Sequence, residues 1–370
     1  MHSVNFPLPG EQEAPIDYFS RWHANVAPTG LYGINIPSRY GGLGLGHWDR
    51  FEAIADMSRR DTSAGAILQS VTLGTGMFLS ASEQLREMWL PKLATGEEIA
   101  TICITEPKSG ARIGSLETTL SPALDEGYVL TGSKQFIANA HVGTVHGVIA
   151  KRASSDRSAL RHTGVIVPSR SAGVETGAVD DLDGLKHFNV GGIRFNNVRV
   201  PAEHVLLGNK GLQLAHRSIT LFGKLNLAAV AYGALLRSWD ETQNYLSSDT
   251  GRAKQLEQIG AIRGLIGEVQ RCISESRALC FSAAHSIDCG EPEEDLILAA
   301  KASTVNHAIS GILACISIMG ARGGSAAAGH VTRLSDVIQT MAPAGTESVN
   351  LAQLSKFALG KYKEVGIYGS

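Results

Sequence analysis

The sequence predicts an α+β protein that is mainly α-helical and has three domains in succession. Three observations support this fold class. Apolar residues recur at helical spacing through residues 11–100. Short apolar runs separated by Gly, Pro, Asn, Asp and Ser then extend to about residue 210, as in strands joined by turns. Four long amphipathic segments fill the remainder. We therefore expect an N-terminal helical domain (1–100), a middle β-barrel or sandwich domain (101–210) and a C-terminal four-helix bundle (211–370).

The first domain is predicted to be helical because apolar residues repeat every three or four positions. The predicted helices cover residues 16–26, 47–60, 64–80 and 82–93. Pro91 and Gly96 mark the end of the last one, since proline and glycine interrupt helices. A glycine-rich loop, residues 38–44, separates the first two helices.

The middle domain changes to the short, β-branched runs that are typical of strands. The predicted strands cover residues 102–104, 128–130, 145–150, 163–167 and 192–195. Their spacing favours a small barrel or sandwich over alternating strands and helices. No GxGxxG motif follows any of them, which disfavours a Rossmann dinucleotide site.

The third domain is predicted to be a bundle because four long segments carry apolar residues at i, i+3, i+4 and i+7. They cover residues 212–246, 252–287, 293–319 and 331–359. Helices of this length with short joints are typical of an up-and-down bundle.

Composition excludes several classes of function. The chain has 33 Lys and Arg against 35 Asp and Glu, a net charge of −2, so no basic field for nucleic acid is expected. The five cysteines form no CxxC motif, so we expect reduced thiols and no metal site. The first ten residues do not resemble a signal peptide. The longest apolar stretches, 225–236 and 308–320, are shorter than the ~20 residues of a membrane span. A cytoplasmic protein without a membrane partner is expected.

Four segments carry a resemblance to a known family. Residues 103–110, CITEPKSG, are similar to a T-E-P-x-x-G signature, and residues 127–139, GYVLTGSKQFIAN, to G-Y-x-L-x-G-x-K-x-W-I-T-N. Residues 184–208 are similar to a G-x-R…F-x-x-V-x-V-P…L-G segment. Asp336 and Gly345-Thr346 occur at the spacing of a D…E-G-T motif. In this order and spacing, the segments resemble the acyl-CoA dehydrogenase superfamily of flavoproteins, which implies the same three-domain fold.

The resemblance implies noncovalently bound FAD at a subunit interface of a homodimer or homotetramer. Thr105 is expected to meet the pyrimidine edge of the flavin, and Phe136 to cover a ring face where the family has Trp. The resemblance assigns cofactor-binding roles to Ile102, Ile104, Thr105, Gly110, Phe136, Ile137, Ala138, Arg252, Gly320, Gly323 and Thr346.

The sequence departs from the family at the catalytic base. The family removes the α-proton with a carboxylate, and the two positions where it places one correspond to Ala344 and Gly223, which cannot accept a proton. The backbone N–H of Ala344 is still expected to bind the thioester carbonyl. Glu347 and His141 remain as candidate bases, because one follows the E-G-T position and the other follows the flavin-facing segment and titrates near neutrality. A solvated loop histidine is the alternative for His141.

The resemblance implies a flavin oxidoreductase that acts on an acyl thioester of CoA or of a carrier protein. The missing glutamate favours atypical α,β-dehydrogenation of an unusual substrate, as in specialised metabolism. One alternative is an O2-using flavin oxygenase of the same fold. Another is a thioester-binding protein that has lost catalysis or does non-redox chemistry. The electron acceptor is expected to be O2 or an electron-transfer flavoprotein.

Overall fold

The chain forms helices, then a sheet, then helices again, in the predicted order. A computed structural model gives the structure. It describes residues 6–109, 115–123, 126–152, 162–206, 211–248, 255–256 and 258–362.

Four helices build the N-terminal region. They are α1 (Pro15–Val26), α2 (His47–Arg60), α3 (Thr62–Leu79) and α4 (Glu83–Thr95). The Asp61 carboxylate accepts a hydrogen bond from the N–H of Ala64 and so caps α3. Helix α4 continues past the predicted end at residue 93 and includes Pro91. It stops at Gly96, which has φ +79° and ends the helix in the left-handed conformation that glycine tolerates.

The middle region is one eight-stranded mixed sheet among the residues described. Its strands are β1 (Ala100–Cys103), β2 (Thr119–Pro122), β3 (Gly127–Ala138), β4 (Val145–Arg152), β5 (His162–Pro168), β6 (Val174–Val179), β7 (Val190–Pro201) and β8 (Val205–Leu206). The order is β6-β7-β3-β2-β4-β5-β8, with β1 parallel to β4. Antiparallel pairing of β3 with β7 makes both strands much longer than the apolar runs that predicted them.

The C-terminal region contains the bundle. Its elements are α5 (Gly211–Ser218), a π-helical segment (Ile219–Lys224), α6 (Leu225–Leu246), α7 (Gly260–Asp288), α8 (Glu294–Met319), α9 (His330–Gln339) and α10 (Glu347–Ala358). The prediction of one helix over residues 331–359 is wrong, because a turn separates α9 from α10. Pro343 lacks a backbone N–H, and Ala344 and Gly345 have φ +56° and +98°.

Two helices meet the length and composition of a membrane span. They cover His216–Leu246 and Glu294–Arg322. In the first, 83% of the most apolar window is buried inside the protein, and in the second 50%. The first is the central helix of the bundle, whose apolar side chains pack against the rest of the protein.

Helix α3 brings the sheet and the bundle together at two glycines. A Cβ on Gly74 would lie 2.2 Å from the carbonyl oxygen of Ala100 in β1. A Cβ on Gly76 would lie 2.9 Å from the ring of Phe222 in the π-helical segment. Only residues without side chains allow both approaches. The strand β1 and the π-helical segment therefore lie on two sides of one helix.

Candidate functional site

The turn between α9 and α10, residues 341–345, is held from one side by a buried lysine of the π-helical segment. The Nζ of Lys224 donates to the carbonyl oxygen of Ala344 at 2.7 Å and to Oδ1 of Asn350 at 3.0 Å. The Nδ2 of Asn350 donates in turn to the carbonyl oxygen of Gly345 at 3.1 Å. This network pins the two carbonyl groups at the left-handed part of the turn.

A second buried lysine holds the same turn from α8. The Nζ of Lys301 donates to the carbonyl oxygens of Met341 and Gly345, both at 2.7 Å. Lys224 and Lys301 are 1% and 2% exposed. Burial lowers the pKa of both, and repulsion by Lys301 lowers that of Lys224 further, to about 7.

Ala344 and Gly223 lie against each other. A Cβ on Gly223 would lie 3.5 Å from the Cβ of Ala344, 3.5 Å from Leu73 and 3.7 Å from Ile219. These are ordinary van der Waals distances, so a side chain at either position would enter the same small space. The N–H of Ala344 has no hydrogen-bond acceptor in the part of the chain that the structure describes. The arrangement offers a backbone donor and no carboxylate.

The π-helical segment is braced from α2. A π-turn changes which carbonyls its own helix can satisfy, and such turns recur at functional sites. Here the carbonyl oxygen of Leu221 accepts from Arg50 at 2.8 Å and contacts Nδ1 of His47 at 3.2 Å. The fully buried Arg50 also donates to Oδ1 of Asn226 at 2.7 Å. This bracing holds Gly223 and Lys224 in place.

On the sheet side, Phe136 is held in an exposed position by a bulge in β3. The register of β3 with β7 shifts between Lys134 and Ile137. Within the bulge, Phe136 has φ +54° and its side chain is 62% exposed, although Ile137 beside it is buried. A strained backbone that exposes a large aromatic ring is typical of a ligand contact. Ala138 is half-buried at the end of the strand.

The loop after β1 lies beside this bulge. The N–H of Gln135 donates to the carbonyl oxygen of Thr105 at 2.9 Å. The buried Lys134 binds the carboxylate of Glu106 at 2.8 Å and the carbonyl oxygen of Ile104 at 3.0 Å. Glu106 thus holds the loop through its carboxylate. The half-buried hydroxyl of Thr105 has no partner within the described residues, which leaves it available to a ligand.

An aspartate of α9 ties the bundle to the sheet region. Oδ1 of Asp336 accepts from the N–H of Leu185 at 2.6 Å, in the loop between β6 and β7. Burial raises the pKa of Asp336 to about 6. The same loop crosses α9 closely, because a Cβ on Gly184 would lie 2.3 Å from the carbonyl oxygen of Ser335.

The other predicted cofactor residues are spread over several elements. Ile102 and Ile104 are half-buried in and after β1. Gly320 ends α8 with φ +61° and open space around it, whereas a Cβ on Gly323 would lie 2.5 Å from the carbonyl oxygen of Ile316. The hydroxyl of Thr346 caps α10 by accepting from the N–H of Val349. Gly110 and Arg252 lie outside the described residues.

The two candidate bases have other partners. His141 contacts the carbonyl oxygen of Gly177 through Nε2 at 3.0 Å, so its ring packs on β6. Glu347 begins α10, and its Oε1 accepts from Nδ2 of Asn306 at 2.7 Å. Within the described residues, neither side chain forms a hydrogen bond with Ala344. Their roles as bases stay predictions.

Lys224 and Lys301 were not foreseen in the sequence. Their contacts join elements that are far apart in the chain, which helical spacing does not reveal. A signal was nevertheless present, since each lysine interrupts an apolar run, LFGKLNLAAV at 221–230 and LILAAKAS at 296–303. A charged residue within an apolar helix indicates burial with specific partners.

These groups match the demands of a flavin ring. A flavin needs a flat face and hydrogen-bond partners at its polar edge. Phe136 supplies an exposed ring, and Thr105 supplies an unpaired hydroxyl beside it. The donor set therefore fits FAD, with Phe136, Thr105 and the neighbouring backbone as the residues that would hold it.

Models of one family match almost the whole chain. The N-terminal domain of acyl-CoA dehydrogenase matches residues 11–97, the middle domain residues 101–198 and the C-terminal domain residues 209–359. Together they cover all three regions of the fold.

Individual proteins agree with this. The chain is 27% identical over 322 residues to a 3-(aryl)acrylate reductase of Clostridium sporogenes, covering 86% of this chain and 84% of the relative. It is 27% identical over 338 residues to an L-prolyl-[peptidyl-carrier protein] dehydrogenase of Pseudomonas fluorescens, covering 90% and 88%. The solved butyryl-CoA dehydrogenase of Megasphaera elsdenii has the same fold, with a TM-score of 0.85 and 23% identity over 90% of this chain and 88% of that one. The chain therefore belongs to the acyl-CoA dehydrogenase family of FAD-dependent flavoproteins.

Proposed function

We propose that the protein catalyses FAD-dependent α,β-dehydrogenation of an acyl thioester without a carboxylate at the two positions where its family places the base. The observation that carries this proposal is the contact between Gly223 and Ala344 around an unpartnered backbone N–H. It supports the proposal because a backbone donor for a thioester carbonyl is present there and a side-chain base is absent.

The chain's own groups act on the thioester carbonyl. The N–H of Ala344 donates to the carbonyl oxygen of the thioester, and the ammonium of Lys224, which is bound to the carbonyl oxygen of Ala344, adds positive charge. Preorganised donors of this kind stabilise an enolate. FAD, when bound, accepts the hydride that leaves Cβ.

The missing carboxylate limits the substrate. Positioned general-base catalysis contributes ~10²–10⁴-fold in rate, and neither Ala344 nor Gly223 provides it. The α-proton therefore passes to water rather than to a side chain, and the substrate must make this proton acidic through its own substituents. A relative that acts on a carrier-protein prolyl group supports a carrier-protein thioester beside a CoA thioester. Specialised metabolism is the setting that fits such a substrate.

We also propose that the working protein is a homodimer or homotetramer. Leu313, Val331, Ile338 and Leu351 are each 47–53% exposed on bundle helices. A second copy of the chain would cover these apolar side chains. The cytoplasmic location and the electron acceptor, O2 or an electron-transfer flavoprotein, stay predictions.

The test begins with the visible spectrum of the purified protein, which is expected to show about one bound flavin per chain. Anaerobic addition of 2-phenylbutanoyl-CoA, whose α-proton the phenyl ring acidifies, is expected to bleach the flavin faster than butyryl-CoA does. A product that forms only with oxygen supports the oxygenase alternative. A colourless protein contradicts the proposal, and so does a yellow one whose flavin spectrum no thioester changes. Either result supports a thioester-binding protein that has lost catalysis.

A further inference from the structure

One buried lysine of this protein shows what a fully satisfied ammonium group looks like. Lys134 is 2% exposed, and its Nζ has three acceptors. They are the carboxylate of Glu106 at 2.8 Å and the carbonyl oxygens of Ile104 and Ile149 at 3.0 and 2.7 Å. An ammonium has three N–H donors and one positive charge, and all of these are matched here.

Lys224 and Lys301 are buried to the same extent but lack one acceptor each. Lys224 donates to the carbonyl oxygen of Ala344 and to Oδ1 of Asn350. Lys301 donates to the carbonyl oxygens of Met341 and Gly345. All four acceptors are neutral. Over the described ranges of the chain, neither has a third acceptor or a carboxylate within 4 Å. Buried charges are normally paired, because removing an unpaired ion from water is strongly unfavourable. In their charged forms, both lysines therefore have no counter-ion among the described residues.

The nearby carboxylates already have partners. Glu294 binds Nε2 of His216 at 3.1 Å and the hydroxyl of Tyr362. Glu347 accepts from Asn306. These two carboxylates act on the lysines only at longer range.

Lys224 lies close to the side chain of Ala344. The Nζ of Lys224 is bound to the carbonyl oxygen of Ala344, so standard bond lengths place it within about 6 Å of that residue's Cβ. The same Cβ faces Gly223. Gly223 itself carries no side chain, and a Cβ there would meet Ala344, Leu73 and Ile219 only at ordinary van der Waals distances.

We propose that this site binds acyl thioesters that carry a carboxylate on the α-carbon, and that Lys224 is the residue that recognises this carboxylate. The substrate would thus bring the negative charge that the two positions lack. This inference rests on the proposed function, because it assumes that the thioester carbonyl binds at the N–H of Ala344.

The test compares two probes that differ only in the carboxylate. Ethylmalonyl-pantetheine is butyryl-pantetheine with a carboxylate on Cα, and pantetheine is common to CoA and to carrier proteins. Dissociation constants are measured by calorimetry with the FAD-loaded protein. A charged hydrogen bond predicts that the carboxylated probe binds at least about tenfold more tightly. The preference is expected to disappear in Lys224→Met, to persist in Lys224→Arg, and to be unchanged in the control Lys186→Met, an exposed lysine.

The pH dependence gives a second readout that a purely structural lysine would not change. With the pKa of Lys224 near 7 in the free protein, the preference should fall as pH rises from 6 to 9. The titratable groups that surround Lys224 and Lys301 are Glu294 and Glu347, and His216 binds Glu294. Equal binding of the two probes, or a preference that survives in Lys224→Met, overturns the inference and leaves the proposed function intact. Failure of both probes to bind overturns both.

Discussion

A Cβ placed on Gly223 would lie 3.5 Å from the Cβ of Ala344. The two residues are more than a hundred positions apart, one in a π-helical segment and the other at the left-handed apex of a turn. The two positions at which the resemblance predicts a base therefore face one space in this protein. Neither position carries a carboxylate, so neither supplies the base that the other lacks.

The ion pair between Glu106 and Lys134 is expected to stabilise the loop that carries Thr105. The side chains are 3% and 0% exposed. Glu106→Gln leaves Lys134 charged, buried and without its counter-ion, so the free energy of unfolding should fall by about 3 kcal/mol. Urea unfolding followed by circular dichroism measures it.

The matched control is Glu117→Gln, which breaks the exposed pair with Lys108. Exposed pairs contribute little, so this change should stay within about 0.5 kcal/mol. Equal effects of the two substitutions would contradict the assignment.

Phe136 and Thr105 are expected to hold the flavin. The double variant Phe136→Ala, Thr105→Ala removes an exposed ring and an unpaired hydroxyl, neither of which supports the core. Flavin per chain, measured from the ratio of absorbance at 450 and 280 nm, should therefore fall while thermal stability of the flavin-free protein is kept.

The control for this variant is Phe281→Ala, since Phe281 is also an exposed phenylalanine, 47% exposed on α7. It should leave flavin occupancy unchanged. Full occupancy in the double variant would refute the role of the bulge.

Much of the fold was predictable from the sequence because local patterns determine it. Helical spacing located α2 and α3, and the apolar runs located β4 and β5 to within a few residues. The break at Pro343 was missed because the residues on both sides keep helical spacing. The bulge at Phe136 could not be predicted from the local sequence either, because it arises from a shift in the pairing of β3 with β7.

The site was predictable only in part. Resemblance indicated Ala344 and Gly223, whose contact the structure displays. It did not indicate Lys224 or Lys301, because their partners are backbone oxygens of a turn from a different element. Spacing along one helix carries no information about such a contact.

Asp336 is expected to make stability depend on pH. Burial raises its pKa from 3.8 to about 6, so at pH 5 the folded protein holds a proton that the unfolded chain has mostly released. The contribution of Asp336 to stability is therefore greatest at low pH and is lost as pH rises through 6. The difference in unfolding free energy between wild type and Asp336→Asn should change by about 1.4 kcal/mol between pH 5 and 8, in favour of the variant at pH 8.

Urea unfolding of both proteins at several pH values measures this difference, in which the other carboxyl groups cancel. The amide that Asp336→Asn introduces keeps an oxygen that can accept from the N–H of Leu185. If the unfolding free energies of wild type and Asp336→Asn change with pH in parallel, the pKa of Asp336 is not raised.

Gly223→Glu is expected to restore a base. Gly223 does not have positive φ, and its new Cβ would meet neighbours only at ordinary contact distance, so the backbone accepts a side chain there. Ala344 has positive φ, and its side chain points to the same space, so Ala344→Glu serves as the second variant.

Anaerobic flavin bleaching by butyryl-CoA should be faster in the glutamate variants than in wild type by about 10²-fold or more, the usual contribution of a positioned base. The rate should rise with pH, because only the ionised carboxylate accepts the α-proton. Gly223→Gln controls for bulk and should remain as slow as wild type. If both glutamate variants are folded and yellow but no faster, the thioester does not lie between these residues, and a different substrate pose must replace the one proposed.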